Sequence, residues 1–270
     1  MDISVIIPTY HPGDYLWQCL DSLRKQTLEK SCYELIIILN GCDEPYRSSI
    51  KSYLKQWEGE LHATLVQTDQ GGVSNARNIG IERSSGQYIA FVDDDDWVSE
   101  SYLENLLAKA TSDSIVVANV LNYDETTDKF VDDYLSRAYK RVEGLEQTTL
   151  LSARSFFSCC HCKMIARKVI AEQRFNTHFS QSEDALFMAA ISKNVKVIAI
   201  ASPDTIYYRR TRSNSVRHKR PLLKVATDIF RLSTAFASVY FSDIHHYQLG
   251  FFLTRILGLV KNVFREIKER

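Results

Sequence analysis

Short apolar runs of strand length alternate with helical patterns over the first 120 residues, and this alternation limits the fold more than any other feature. The strand-like runs occupy residues 3–7, 35–39, 63–66, 88–92 and 115–120. The run at 35–39 is apolar at every position, which is typical of a strand buried on both faces of a sheet. The series predicts an α/β fold with a mostly parallel central sheet flanked by helices.

Polar residues follow three of the predicted strands. They are Pro8-Thr9-Tyr10, Asn40-Gly41-Cys42-Asp43 and Asp93-Asp94-Asp95-Asp96. In open α/β sheets, ligands bind beyond the carboxyl ends of the strands. We therefore expect these three segments to meet along one rim of the sheet and to form a binding site there.

Four consecutive aspartates at residues 93–96 follow an apolar strand. Like charges this close repel one another and raise their pKa values unless a cation neutralises them. Carboxylate oxygens select hard divalent cations, and Mg²⁺ is usually held by one or two carboxylates together with substrate phosphates. A solvated acidic loop is the alternative, since Asp96 alone would serve to cap the helix that begins near Ser99. The acidic run by itself leaves both interpretations open.

Two longer segments resemble the signature of family 2 glycosyltransferases with the GT-A fold, a Rossmann-like sheet flanked by helices. In that family an Ala-Arg-Asn-x-Gly helix precedes a Gly-x-Tyr-Ile strand and an Asp-x-Asp motif. The matching segments here are Gly71-Gly72-Val73-Ser74-Asn75-Ala76-Arg77-Asn78-Ile79-Gly80 and Gly86-Gln87-Tyr88-Ile89-Ala90-Phe91-Val92-Asp93-Asp94-Asp95-Asp96. Further matches are found to the first two strands of the family, to its acidic pair at Glu183-Asp184, and to its segment at Arg210-Thr211-Arg212-Ser213-Asn214-Ser215. All these matches occur in family order along the chain.

The resemblance implies a nucleotide site on the rim of the sheet. Pro8 and Tyr10 would line the nucleoside pocket, and Asn40 would reach the base. Arg77 would help to hold the nucleotide. The expected donor is a nucleoside-diphosphate sugar, with UDP as the expected nucleotide.

The acidic run takes specific roles under the same resemblance. Asp93 and Asp94 would contact the ribose and the diphosphate, while Asp95 would bind a Mn²⁺ or Mg²⁺ ion. Such a cation stabilises the charge that develops on a departing nucleoside diphosphate. Arg210 and Arg212 would supplement it, because guanidinium groups match phosphate oxygens; their alternative is a solvated basic strand end.

Asp184 is the candidate general base. It would accept the proton of an acceptor hydroxyl that attacks the anomeric carbon opposite the leaving group, which inverts the configuration. Glu183 is the second candidate for this role. The alternative for both is that they only favour the positive N-terminus of the helix that starts there. The expected acceptor is a glycan or a lipid-linked saccharide.

The six cysteines include the cluster Cys159-Cys160-His161-Cys162. We expect buried small residues beside the active site here rather than zinc, because four adjacent residues cannot all face one tetrahedral ion and no second cysteine pair follows. His161 would contact the substrate. Irregular cysteine spacing and the lack of a secretory signal predict reduced thiols and a cytoplasmic protein.

Charge divides the chain although the 33 basic and 33 acidic residues cancel. The cancellation excludes a nucleic-acid binder with a uniform positive field. Residues 1–204 carry a net charge of −9 and residues 205–270 a net charge of +9. We expect a catalytic domain at 1–220 and amphipathic helices at 221–270. The cationic face of these helices would lie on the inner face of the cell membrane, or their apolar face would pack on the catalytic domain or on a second subunit.

Two other functions remain compatible with the motifs. One is an inactive sugar-nucleotide-binding or assembly protein on the same fold, since a fold does not establish activity. The other is a Mg²⁺-dependent phosphatase of the haloacid-dehalogenase-like type. In that type the acidic motif usually follows the first strand, whereas here it follows the fourth, so the enzyme that transfers sugars is the main prediction.

Overall fold

The computed structural model describes residues 1–212 and 222–268. Within these residues the chain forms eleven strands and nine α-helices. The strands are β1 Ile3–Thr9, β2 Tyr33–Asn40, β3 His62–Thr68, β4 Tyr88–Phe91, β5 Trp97–Val98, β6 Ser114–Val117, β7 Asn119–Asp124, β8 Lys129–Val131, β9 Lys163–Ala166, β10 Val197–Ile200 and β11 Ile206–Thr211. The helices are α1 Tyr15–Arg24, α2 Tyr46–Lys55, α3 Val73–Arg83, α4 Tyr102–Ala108, α5 Tyr134–Lys140, α6 Arg167–Ile170, α7 Glu183–Ile191, α8 Leu222–Ser242 and α9 Leu249–Lys268.

Seven strands form the central sheet, in the order β10-β6-β9-β4-β1-β2-β3. All neighbours are parallel except β9, which lies antiparallel between β4 and β6. Every residue of β1 and β2 is buried, because helices cover both faces of the sheet. The predicted α/β fold with a mostly parallel sheet is confirmed.

Helix α3 packs unusually close to the sheet, and its Ala-Arg-Asn-x-Gly sequence explains how. A Cβ atom at Gly80 would collide with the side chain of Ile6 on β1, so only glycine allows this approach. The side-chain amide of Asn78 donates to the carbonyl of Phe175 at 2.9 Å and accepts from its N–H at 2.8 Å. These contacts fix α3 along β1 and direct Arg77 toward the end of the sheet.

The predicted fifth strand, at residues 115–120, is divided between two sheets. Its first part lies in β6 of the central sheet, whereas Asn119 begins β7 of a second, four-stranded sheet with the order β5-β11-β7-β8. Strand β11 brings Arg210, and Arg212 just after the strand, back to the acidic run. The small sheet therefore closes one side of the predicted rim.

Helices α8 and α9 pack on the rest of the protein. The ring of Phe251 in α9 meets that of Phe157 edge to face at 5.5 Å, and the Tyr247 hydroxyl donates to the carbonyl of Ala190 in α7 at 2.8 Å. The predicted boundary between residues 220 and 221 lies outside the described residues, as do the predicted contributions of Ser213 to Ser215. Among the described residues, no helix is both long enough and apolar enough to cross a membrane.

Candidate active site

A cavity of about 720 Å³ opens at the carboxyl ends of β1, β2 and β4. We call it the donor cavity. Its walls contain several of the site residues predicted from the sequence: Pro8, Tyr10, Asn40, Arg77, Asp93, Asp94, Asp95 and Arg212. The candidate base, Asp184, contacts Arg77 from outside the cavity walls. The structure thus brings the predicted site residues together, as parallel strand order requires.

Asn40 joins two walls of the donor cavity. Its side-chain nitrogen donates to the carbonyl of Thr9 at 2.7 Å, and its side-chain oxygen accepts from the N–H of Gly72 at 2.9 Å. The next residue, Gly41, has φ +66, and a Cβ there would lie 2.8 Å from the Cα of Gly71. Asn40 and Gly41 therefore shape this corner of the cavity through the backbone, and the predicted contact of Asn40 with a base stays a prediction.

Asp94 and Asp95 face the donor cavity, and among residues 1–212 and 222–268 few cations lie near them. Asp94 accepts a hydrogen bond from the Thr9 hydroxyl at 2.5 Å, and Asp95 lies 2.9 Å from Nε of Arg212. Burial, reinforced by the neighbouring carboxylates, raises the pKa of Asp94 to about 7, against the effect of the Thr9 hydrogen bond. Burial and Asp93 also raise the pKa of Asp95, although Arg212 opposes them. Within the part of the chain that the structure describes, negative charge is therefore incompletely compensated at this wall.

A second group of charges, which we call the ionic cluster, lies behind the donor cavity. It consists of Arg77, Asp93, His161, Glu183 and Asp184. Arg77 is 3% exposed, and its two terminal nitrogens contact Asp93 at 2.9 Å and Asp184 at 2.6 Å. Burial alone would raise the pKa of Asp93, but Arg77 and His161 hold that pKa below its usual range. Most charged groups of the ionic cluster are therefore paired with one another.

Helix α7 presents Glu183 and Asp184 from its first turn, where the helix dipole favours negative charge. Ser182 immediately before it has φ 59, a left-handed conformation that is uncommon for serine and is often found at functional sites. Asp184 also accepts a hydrogen bond from the backbone N–H of Cys160 at 3.2 Å. Burial and the charge of Asp184 raise the pKa of Glu183. The two carboxylates are therefore held together beside Arg77.

Asp96 has a structural role, as the alternative interpretation of the sequence expected, although its partners are not those of a helix cap. It is 2% exposed and accepts hydrogen bonds from the Tyr207 hydroxyl at 2.6 Å and from the N–H of Arg210 at 2.7 Å. These bonds tie β11 to the acidic run rather than capping the next helix. The Tyr207 ring also stacks on His161 at 5.1 Å between centroids, and His161 Nδ1 lies 3.2 Å from Asp93.

The carboxylate oxygens that line the donor cavity are of the kind that binds a divalent cation. The carboxylates of Asp94 and Asp95 offer hard oxygen ligands, and burial, together with the neighbouring carboxylates, raises their pKa values. A cation bound there would favour the ionised carboxylates. Asp95, the predicted metal ligand, and Asp94 are the residues that would hold it.

Of the two arginines predicted to supplement the cation, only one lines the donor cavity, and several other lining residues were not predicted. Arg212 lines the donor cavity, while Arg210 lies behind it, with Nε donating to the Asp95 carbonyl at 2.9 Å. Asp69, Gly71 and Gly72 line the cavity after β3. The strand-end rule applied to β3 would have found them. The contribution of Thr9 to Asp94 needs the pairing of β1 with β4, which no local pattern contains.

Comparison with known proteins identifies the family. The model of glycosyl transferase family 2 matches residues 4–174, which is more than half of the chain. The chain belongs to this family. It is a glycosyltransferase, as predicted, and the match favours the enzyme over the phosphatase alternative.

Named relatives are similar over different lengths. The chain is 27% identical to the glycosyltransferase GlyG of Streptococcus pneumoniae over 84% of this chain and 76% of GlyG. It is 28% identical to the glycosyltransferase GlyA of the same organism, but spans only 26% of that protein. The poly(ribitol-phosphate) β-N-acetylglucosaminyltransferase TarS of Staphylococcus aureus is 23% identical over 78% of this chain and 36% of TarS.

Solved structures show the same fold. S. aureus TarS 1-349 in complex with UDP-GlcNAc matches with a TM-score of 0.74 and 18% identity, over 96% of this chain and 72% of that chain. The mannosyltransferase PcManGT from Pyrobaculum calidifontis, in complex with GDP-Man and Mn²⁺, matches with a TM-score of 0.64 and 16% identity, over 97% and 69%. The predicted GT-A fold is confirmed.

Proposed function

We propose that this glycosyltransferase transfers a sugar from a nucleoside-diphosphate sugar to a hydroxyl group of a saccharide acceptor, with inversion at the anomeric carbon. The observation that carries the proposal is the donor cavity with Asp94 and Asp95 on its wall and the pair Glu183-Asp184 close behind it. UDP is the expected nucleotide, because TarS binds UDP-GlcNAc on the same fold. The GDP-Man complex of PcManGT makes GDP the alternative.

Different residues of the donor cavity would bind different parts of the sugar nucleotide. Pro8 and Tyr10 would contact the nucleoside, and Arg212 would hold the diphosphate with its guanidinium group. Asp95, assisted by Asp94, would hold Mn²⁺ or Mg²⁺. When bound, the cation would offset negative charge on the diphosphate.

Asp184 is proposed as the general base. It would accept the proton of the acceptor hydroxyl while that oxygen forms a bond to the anomeric carbon and the bond to the diphosphate breaks. Arg77 and the N–H of Cys160 orient its carboxylate. Glu183, 3.7 Å from Arg77, is the neighbouring carboxylate that the test has to distinguish from it.

The Asp184→Asn variant tests this role, with Glu183→Gln as the matched control. Both substitutions keep the size of the side chain. We expect Asp184→Asn to lower kcat by about 10²–10⁴-fold, the contribution of a positioned base, with little change in donor affinity. Transfer is measured as release of nucleoside diphosphate with a panel of saccharide acceptors, and product anomers are assigned by NMR. Normal turnover by Asp184→Asn, or loss only in Glu183→Gln, would remove Asp184 from this role.

Residues 1–220 are proposed as the catalytic unit and residues 221–270 as a helical support for its acceptor side. Helix α9 holds the segment before β9, because Arg255 donates to the Ser158 hydroxyl at 3.1 Å and to the Arg154 carbonyl at 2.7 Å. This segment leads to Cys160, which contacts Asp184. Polysaccharide assembly from a glycan or lipid-linked acceptor, in the cytoplasm, is the setting we propose.

An exposed apolar stripe on α9 supports contact with a second surface. Leu249, Leu253, Leu257 and Val260 are between 42% and 66% exposed, at helical spacing. We propose that it lies on the inner face of the cell membrane, where a lipid-linked acceptor would be met; a second copy of the chain is the alternative. Sedimentation with anionic vesicles, compared with the Leu253→Gln/Leu257→Gln variant, tests this. Equal recovery of both proteins in the supernatant would contradict membrane binding.

A further inference from the structure

A pair of thiols lies directly beneath the ionic cluster, in the turn that precedes β9. The Sγ atoms of Cys159 and Cys162 are 3.9 Å apart, and both side chains are buried. The cysteines are three residues apart, and Cys162 has φ 56, so the backbone turns sharply enough to face one sulfur toward the other. The sequence predicts no zinc site here, because four adjacent residues cannot all face one ion. The structure nevertheless brings Cys159, His161 and Cys162 together, with ligand atoms within 4.8 Å of one another.

Lys163 distinguishes a dithiol from a metal site. Its ammonium group is completely buried, donates to the carbonyls of Cys159 and His161, and lies 3.6 Å from Sγ of Cys159 and 3.9 Å from Sγ of Cys162. A cation already in contact with both sulfurs opposes a second cation between them. The same charge stabilises a thiolate, which is the reactive form of cysteine. The hydrogen bond from Cys162, with His161 and Lys163, lowers the pKa of Cys159 in spite of burial.

Of the two residues between the thiols, Cys160 contacts the ionic cluster and His161 belongs to it. The backbone N–H of Cys160 donates to Asp184 at 3.2 Å, and His161 Nδ1 lies 3.2 Å from Asp93. Any movement that draws Cys159 and Cys162 together therefore acts on the turn that positions the proposed base and the first aspartate of the acidic run.

We propose that Cys159 and Cys162 form a disulfide when the protein meets a peroxide, and that this modification lowers glycosyl transfer. The Cys159 thiolate attacks one oxygen of hydrogen peroxide, the O–O bond breaks, and a sulfenic acid forms with hydroxide as leaving group. The Cys162 thiol then attacks the sulfenic sulfur, forming the S–S bond and expelling the second oxygen. With protons returned to both oxygens, two thiols and one peroxide yield one disulfide and two waters.

The expected loss of activity follows from the distance between the Sγ atoms of Cys159 and Cys162. A disulfide requires the sulfurs to approach to about 2.05 Å, so the turn has to contract from the 3.9 Å observed. The contraction moves Cys160 and His161 relative to Asp184 and Asp93, and it removes the thiolate that accompanies the buried Lys163. Misplacement of a catalytic group by about 1 Å costs up to ~10²-fold in rate. This regulatory effect rests on the proposed function, whereas the formation of the disulfide does not.

The test compares protein treated with hydrogen peroxide and protein kept in a thiol-free reductant. Cys32 and Cys42, which are partly exposed, are replaced by serine in every protein so that they do not react. We expect the peroxide-treated protein to lose the mass of two hydrogen atoms, with the crosslink located by peptide mapping at Cys159 and Cys162. Transfer should fall by about tenfold or more, and the reductant should restore it. Cys159→Ser and Cys162→Ser should lose this sensitivity, while Cys160→Ser, which retains the pair, should keep it.

The outcomes separate the two parts of the proposal. Absence of the mass loss in folded protein, or zinc retained by the reduced protein in metal analysis, would overturn the dithiol assignment. A quantitative disulfide with unchanged transfer would overturn its effect on activity. If reduced protein transfers no sugar from any donor, the proposed function fails, and the peptide map still decides whether the disulfide forms. Thermal melting of each serine variant identifies any that does not fold, and the other variant of the pair then carries the comparison.

Discussion

The donor cavity and the ionic cluster meet at Arg77 and Asp93, yet negative charge is compensated differently in the two. In the ionic cluster, the buried Arg77 bridges Asp93 and Asp184, and the pKa of Asp93 is lowered. In the donor cavity, Asp94 and Asp95 retain raised pKa values although Arg212 lies beside Asp95. Consecutive aspartates thus differ: Arg77 pairs with Asp93, whereas Asp94 and Asp95 lie on the wall where we propose that a cation and a phosphate group bind.

This difference separates stability from ligand binding. Removing a buried charge that already has partners leaves those partners unpaired, which costs folding free energy. Removing a carboxylate from a wall with excess negative charge relieves repulsion instead. Replacement of Arg77, the shared cation of the ionic cluster, should therefore destabilise the fold, whereas replacement of Asp95 in the donor cavity should spare the fold and impair function.

The largest effect is expected for Arg77→Leu in the ionic cluster. Loss of the guanidinium group leaves the buried carboxylates of Asp93 and Asp184 without their shared cation, and breaking such a pair costs about 3–5 kcal/mol. Urea unfolding monitored by circular dichroism measures the change, with Arg77→Lys as the control that keeps the charge. A free energy of unfolding within error of the unmodified protein would show that the cluster is not a structural element.

A smaller loss, confined to activity, is expected for Asp95→Asn in the donor cavity. We expect kcat to fall by about 10²–10³-fold, as when one group that stabilises developing charge is removed. The melting temperature without ligand should stay the same or rise, because one source of repulsion is gone. Asp96→Asn, which disturbs the bonds to Tyr207 and Arg210, is the matched structural control and should lower it. A large fall in the melting temperature of Asp95→Asn would contradict the separation.

The smallest effect is expected for Thr9→Val, which removes the hydroxyl that donates to Asp94. A hydrogen bond to a charged group contributes about 1.5–3 kcal/mol, but water in the open cavity replaces part of it. We expect the KM for the donor to rise by about tenfold or less, with kcat nearly unchanged. Thr9→Ser retains the hydroxyl and should behave as the unmodified protein. Equal KM values for the valine and serine variants would exclude the hydroxyl as the cause.

The series of strands and helices and the strand ends could be predicted from the sequence because both depend on local patterns. The apolar run at residues 35–39 became the fully buried β2, and α1 buries Leu16, Cys19, Leu20 and Leu23, which have the spacing of one helix face. The small sheet was not predicted. Its strand β5 has two residues, and β8 is fully exposed, so neither carries a periodic signal. The antiparallel β9 begins with Lys163, whose burial depends on carbonyl partners in the preceding turn.

The site was predictable as a set of residues but not as a set of contacts. Parallel strands place Asp93, Asp94 and Asp95 on one rim whatever their partners are. The assignment of Arg77 to the ionic cluster requires α7, more than 100 residues further along the chain. His161 lies beside Asp93 and Tyr207, which no local pattern indicates, and its expected contact with substrate stays a prediction. Such pairings depend on tertiary contacts that hydrophobic periodicity does not encode.

Calorimetric titration of the protein with UDP, with Mn²⁺ and with EDTA in place of Mn²⁺, tests the central claim most directly. The claim is that the donor cavity holds a nucleoside diphosphate through a divalent cation at Asp94 and Asp95. We predict one site per chain with Mn²⁺ and an affinity at least about tenfold weaker with EDTA, a difference of about 1.4 kcal/mol or more. GDP in a parallel titration identifies the base. Equal affinity with and without the cation, or no binding of either nucleotide, would contradict the account.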